Sequence, residues 1–105
     1  TAIGNSRFGV YLFQQASGVT IGGSISGAAN IIAGNSNTGI QVDSGIYNTI
    51  QGNTIGVSSS GTALGNANNG ITLNGAAYNQ IGGTTALAAN TISASTNEGI
   101  LVTGA

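Results

Sequence analysis

A four-residue pattern of glycine, β-branched residue, any residue, then valine or leucine occurs four times in this chain. The copies are Gly9-Val10-Tyr11-Leu12, Gly39-Ile40-Gln41-Val42, Gly70-Ile71-Thr72-Leu73 and Gly99-Ile100-Leu101-Val102, at steps of 30, 31 and 29 residues. A period of this length confines the chain to architectures in which one small unit stacks on the next, because no single unit can bury its apolar face alone.

Two further patterns keep the same period. Val19-Thr20-Ile21-Gly22, Asn48-Thr49-Ile50-Gln51 and Asn79-Gln80-Ile81-Gly82 form one series; Asn30-Ile31-Ile32, Asn53-Thr54-Ile55 and Asn90-Thr91-Ile92 form the other. Each turn therefore carries three short strands. In the second turn the third strand arrives early and is followed by a longer stretch, Gly56 to Asn69. Alternate turns match better than neighbours: Ala28 to Val42 and Ala88 to Val102 share 8 of 15 residues, and Thr1-Ala2-Ile3-Gly4-Asn5 aligns with Thr62-Ala63-Leu64-Gly65-Asn66. The repeating unit is a pair of turns, about 60 residues. Two whole units would need more residues than the chain has, and it begins at Thr1 with no Met or signal peptide. It is accordingly expected to be a window on a longer array, read here as one solenoid segment over 1–105.

Within each strand the repeating apolar residues lie two apart, as Ile40 and Val42 or Ile71 and Leu73 do, which places them on one face of a pleated strand. That face is expected to point inward, and Tyr11, Gln41, Thr72 and Leu101 outward. Helix has little support, since no segment sustains an apolar stripe of period 3.6; Thr84 to Ala89 has room for one helical turn. The polar composition, with 19 Gly and 13 Asn, would fit a disordered chain, but 13 Ile at regular positions belong to a sheet interior. Asn5, Asn35 and Asn66 fall at equivalent corners, where side-chain amides can bond from turn to turn as they do in stacked sheets. Proline is absent, as expected where most backbone N–H groups serve pairing between turns.

The wording of the turns around Tyr47 to Gly56 and Tyr78 to Ala86, Asn-x-Ile-x-Gly-Asn-x-Ile-Gly and Asn-x-Ile-Gly-Gly-Thr-Thr-Ala, resembles right-handed parallel β-helix repeats of large secreted and surface-anchored bacterial proteins. The resemblance covers essentially the whole chain. It implies an all-β, right-handed β-solenoid of just over three turns in an extracellular or cell-surface setting. It does not fix an activity, because that pectate-lyase-like architecture carries lyases, hydrolases, tailspikes, adhesins and repeats without assigned role.

The chain has three charged residues, Arg7, Asp43 and Glu98, and neither His nor Cys. Without a basic face it is not expected to bind nucleic acid or anionic lipid, and no apolar run is long enough to insert in a membrane. Cleavage of a polysaccharide needs paired carboxylates, or an acid cluster that holds Ca²⁺ with a basic proton acceptor. Asp43 and Glu98 belong to different turns and read as solvated residues at strand edges; Arg7 occupies a corner whose equivalents are Asn37, Asn68 and Asn97. No catalytic residue, metal site or cofactor is therefore expected. Four aromatic residues remain as candidate contacts. Tyr47 and Tyr78 hold equivalent positions one turn apart, so their rings can stack at a corner or offer a platform to sugar rings or a neighbouring fibre. Phe8 and Phe13 bracket the first strand and have no aromatic counterparts in later turns, which points to a contact with another chain or domain.

The expected function is that of a structural module, a stalk, adhesin shaft or filament subunit, whose partners are further β-helix repeats or like subunits stacked end to end and, in addition, extracellular polysaccharide. The alternative is a carbohydrate-binding or polysaccharide-processing β-helix whose active residues lie outside this segment.

Overall fold

Isoleucines that recur once per turn stack directly on one another in the computed structural model, which describes residues 4–104. The segment Thr1-Ala2-Ile3 and Ala105 lie outside the described residues. The first turn contributes β1 (Val10–Leu12), β2 (Thr20–Gly22) and β3 (Ile31–Ile32). The second contributes β4 (Ile40–Asp43), β5 (Thr49–Gln51) and β6 (Thr54–Ile55). The third contributes β7 (Ile71–Asn74), β8 (Gln80–Ile81) and β9 (Thr91–Ile92), and β10 (Ile100–Thr103) begins a fourth. All pairing between turns is parallel, in three sheets ordered β1-β4-β7-β10, β2-β5-β8 and β3-β6-β9. The chain is a β-solenoid of about three turns with three strands per turn.

The register puts Val10, Ile40, Ile71 and Ile100 in one column, Ile21, Ile50 and Ile81 in a second, and Ile32, Ile55 and Ile92 in a third. In the second and third turns the inward residues Ile40, Val42, Ile50, Ile55 and Ile71 have no solvent exposure. Each such side chain stabilises the fold by about 1.5–3 kcal/mol relative to an exposed one. Outward residues behave as expected except Thr72. It is 5% exposed, flanked in register by Gln41 and Leu101, and its hydroxyl accepts a hydrogen bond from the Asn69 amide at 2.8 Å.

The pairing of alternate turns has a structural cause at one corner. The second turn passes from β5 to β6 through Gly52-Asn53 alone, whereas the first and third turns insert residues 23–30 and 82–90, the latter holding the single 3₁₀ turn Ala86–Ala88. These inserts close over Gly52 from both sides: a Cβ there would lie 2.3 Å from the Gly23 carbonyl oxygen and 2.6 Å from that of Leu87. Gly52 has φ +68, so the tight corner and the close approach both require glycine. The second turn places its own extra length between β6 and β7, where a small loop closes by hydrogen bonds from Ser58 N to the Thr62 carbonyl and from Leu64 N to that of Gly56, both 2.9 Å.

Asparagines line the corners as ladders with a common direction. The Asn5 backbone N–H donates to Asn35 Oδ1 at 3.0 Å, and Asn35 N–H donates to Asn66 Oδ1 at 3.1 Å. Asn30 and Asn53 N–H donate in the same way to Asn53 and Asn90 Oδ1, at 3.2 and 2.9 Å. Val19 and Asn48 N–H donate to Asn48 and Asn79 Oδ1, both at 2.9 Å. Several amide nitrogens also reach back: Asn53 Nδ2 donates to the Ile21 carbonyl at 3.0 Å and Asn90 Nδ2 to that of Ile50 at 2.9 Å. Asparagine suits this position because one amide both accepts and donates, so it can bond a backbone N–H and a backbone carbonyl of the preceding turn together.

Candidate functional site

Three surface features differ from the regular polar exterior. The first is the outer edge, at β10, of the β1-β4-β7-β10 sheet, sheet 1. In β10 the core-column residues Ile100 and Val102 are 45% and 67% exposed, where their counterparts Ile40 and Val42 are fully covered. Among the described residues β10 pairs with β7 alone.

The second is the tyrosine pair expected from the sequence. Tyr47 and Tyr78 stack with ring centroids 5.2 Å apart and planes 11° from parallel, and remain 62% and 76% exposed. Both sit in the left-handed region, at φ 56 and 57, in a column whose first-turn member is Gly18 at φ 69. Gly18 N–H donates to the Tyr47 carbonyl at 3.2 Å. A bulky side chain in that backbone region carries strain of about 1–3 kcal/mol, so the stacked pair stands where glycine would fit more easily.

The third is a cluster that sequence reasoning saw only in part. Phe8 and Phe13 do not stand alone, because Tyr11 joins them: its ring lies 4.7 Å from Phe8 and stacks on Phe13 at 4.9 Å, 15° from parallel. Arg7 places its guanidinium 4.8 Å over the Phe8 ring. Tyr11 and Phe13 are 39% and 49% exposed, and Phe8 is half-buried. On the next rung, Asp43 Oδ2 accepts the Tyr11 hydroxyl proton at 2.7 Å and Oδ1 accepts from Gln41 Nε2 at 2.8 Å. Asp43 is thus half-buried and held, not the freely solvated edge residue that the sequence predicts. Partial desolvation pushes its carboxyl upward, but the hydrogen bonds from Gln41, Tyr11 and Asn74, helped by the Arg7 charge, outweigh this and hold it below the usual carboxylate value. The same bond to Asp43 raises the Tyr11 phenol, since the anion opposes loss of the proton it accepts. The signal was present in the numbering: Tyr11 and Asp43 are 32 residues apart, one turn plus two, which makes them diagonal neighbours on one outer face.

Asp43 and Glu98 are not brought together. Asp43 ends β4, Glu98 precedes β10, and β7 runs between them. Among the described residues no three acidic, histidine or cysteine side chains gather as metal ligands, and the surface forms no concave pocket. No helix among the described residues is long and apolar enough to cross a membrane. No protein-family model matches the chain, and neither the curated proteins nor the solved structures compared with it include a match.

Proposed function

We propose that this chain is a stiff structural segment of a secreted or cell-surface protein, a piece of stalk, adhesin shaft or filament, acting without catalysis of its own. The reading rests on one observation above others: aliphatic columns run from turn to turn along one axis, and Ile40, Val42, Ile50, Ile55 and Ile71 in them are fully covered. Stacked rungs of this kind extend by adding like rungs, supplied by further β-helix repeats or by a like subunit stacked end to end. The material suits that role. Ladders of backbone and asparagine bonds along one axis resist bending, and a surface with three charged residues in the whole sequence puts little repulsion between neighbours. The secreted setting comes from the resemblance of the repeat wording to bacterial surface β-helices.

Electron microscopy and fibre diffraction of the native material test this directly. Rods with a strong axial spacing near roughly 4.8 Å are expected. Isolated compact particles without that spacing would overturn the structural reading.

A further inference from the structure

The chain holds five aromatic residues and three charged ones, and one outer patch of sheet 1 collects three of the former and two of the latter: Phe8, Tyr11 and Phe13 with Arg7 and Asp43. Nothing in the solenoid core requires this. Every one of these side chains lies outside the buried aliphatic core, and the later turns repeat neither the rings nor the charges. We infer that the patch formed by Phe13, Tyr11, Gln41 and Asp43 is a binding subsite for a neutral polysaccharide, taking a hexopyranose ring against Phe13 with its hydroxyls on the Asp43 carboxylate and the Gln41 amide.

The chemistry of the patch selects this occupant. A pyranose presents an apolar face of C–H groups and a rim of hydroxyls, and so needs a flat aromatic surface beside fixed acceptors. Phe13 is stacked on Tyr11 and still about half exposed, 49%, so a broad ring surface stays available in a fixed orientation. Asp43 comes one residue after Val42, the partner of Leu12 in register, and Phe13 one residue after Leu12; ring and carboxylate therefore face the same side of adjacent rungs. Tyr11 and Gln41 each donate to one carboxylate oxygen, at 2.7 and 2.8 Å, which fixes the group while leaving lone pairs on both oxygens for sugar hydroxyls. An ionised carboxylate at the centre repels uronic acids and sulfated chains, and the single cation, Arg7, is turned over Phe8. A purely apolar partner surface would offer no donor to the lone pairs that Tyr11 and Gln41 leave free on the Asp43 carboxylate.

The test uses the 105-residue chain with cellohexaose, mannohexaose and xylohexaose as neutral probes, and hexagalacturonate as an anionic one. Saturation-transfer NMR reports contact, and titration of the Tyr and Phe ring resonances gives the affinity. Binding of at least one neutral hexasaccharide and none of hexagalacturonate is expected. Phe13→Ala should weaken that binding about tenfold, Asp43→Asn should weaken it while preserving the circular dichroism spectrum, and Ser59→Ala, in the exposed loop between β6 and β7, should leave it unchanged. The proposal is overturned if no neutral probe binds, if binding survives Phe13→Ala, or if hexagalacturonate binds as well as the neutral chains. It is also overturned if Phe13→Ala abolishes a concentration-dependent self-association seen by ultracentrifugation, since the patch is then an interface between copies.

Discussion

Ser95, before β10, occupies the place that Asn66 occupies before β7, and its buried hydroxyl has no hydrogen-bond partner among the described residues. The correspondence shows in the glycine that each residue covers: a Cβ on Gly39 would meet Asn66 Nδ2, and one on Gly70 would meet Ser95 Oγ. The ladder Asn5, Asn35, Asn66 thus breaks at a side chain one amide too short to reach the Asn66 backbone N–H. Replacing Ser95 by Asn is expected to restore the ladder, satisfying that N–H and removing the orphan hydroxyl. A gain of about 1 kcal/mol follows, read as a shift of several degrees in thermal midpoint. An unchanged or lower midpoint would show that the break is structurally required.

The ladders also predict a contrast between buried and exposed asparagines. Asn53 is 1% exposed, accepts from Asn30 N–H and donates to the Ile21 carbonyl; Asn97, on the surface, bonds the Asn68 side chain alone. Asn53→Ala takes the partner from the buried Ile21 carbonyl and from the part-buried Asn30 N–H and should cost about 2–4 kcal/mol, while Asn97→Ala should stay within about 0.5 kcal/mol. Urea unfolding of the two variants measures both, and equal costs would contradict the ladder account.

Asp43 and Tyr11 give the solenoid one acid-sensitive and one alkali-sensitive bond. The folded carboxyl is held below its ordinary value of 3.8, so its contribution is present above that value and is lost as pH falls through the lower folded value. The folded phenol is raised above 10.0, so its contribution is present below that value and is lost as pH rises through the higher folded value. Stability against pH should therefore decline at both ends. Asp43→Asn is expected to remove this part of the acid decline, and Tyr11→Phe the alkaline one, in denaturation midpoints taken between pH 2 and 12. If neither decline changes, the pair does not couple to folding. Both groups lie at the surface, so salt should flatten the effects.

What the residues disclosed before the structure, and what they withheld, divides by the range of the interaction. The columns of Ile40 and Ile71 were legible because a residue that recurs once per turn must meet its own copy, and the period supplies the partner. The Asn5, Asn35, Asn66 ladder was legible for the same reason. Two more ladders, through Asn48 and Asn53, follow from the same rule and could have been found by it. Tyr11, Asp43 and Phe13 escaped it. They occur once each, on a diagonal between rungs, so periodicity says nothing about them and their mutual contact depends on side-chain direction. The burial of Thr72 was hidden too, because the Asn69 side chain that caps its hydroxyl comes from the preceding corner rather than from the strand.

Tyr47 and Tyr78 set two energies against each other, and substitution separates them. The left-handed backbone at Tyr47 favours glycine, as Gly18 in the same column shows, while the ring gains a stacking partner at 5.2 Å. Tyr47→Ala gives up the stack and keeps the strain. Tyr47→Gly gives up the stack and relieves the strain, at a cost in unfolded-chain entropy of under about 1 kcal/mol. The glycine variant should therefore match or exceed the alanine variant in stability, the gap being set by strain of about 1–3 kcal/mol less that entropy. Stacking of such a pair is worth about 0.5–1.5 kcal/mol, so Tyr47→Gly should fall close to the parent protein in urea unfolding. A tyrosine kept at a position where glycine is nearly as stable is then retained for what its exposed ring meets outside the chain. If Tyr47→Gly instead unfolds as readily as Tyr47→Ala and well below the parent, the stacked rings hold the corner together and need no external partner to account for them.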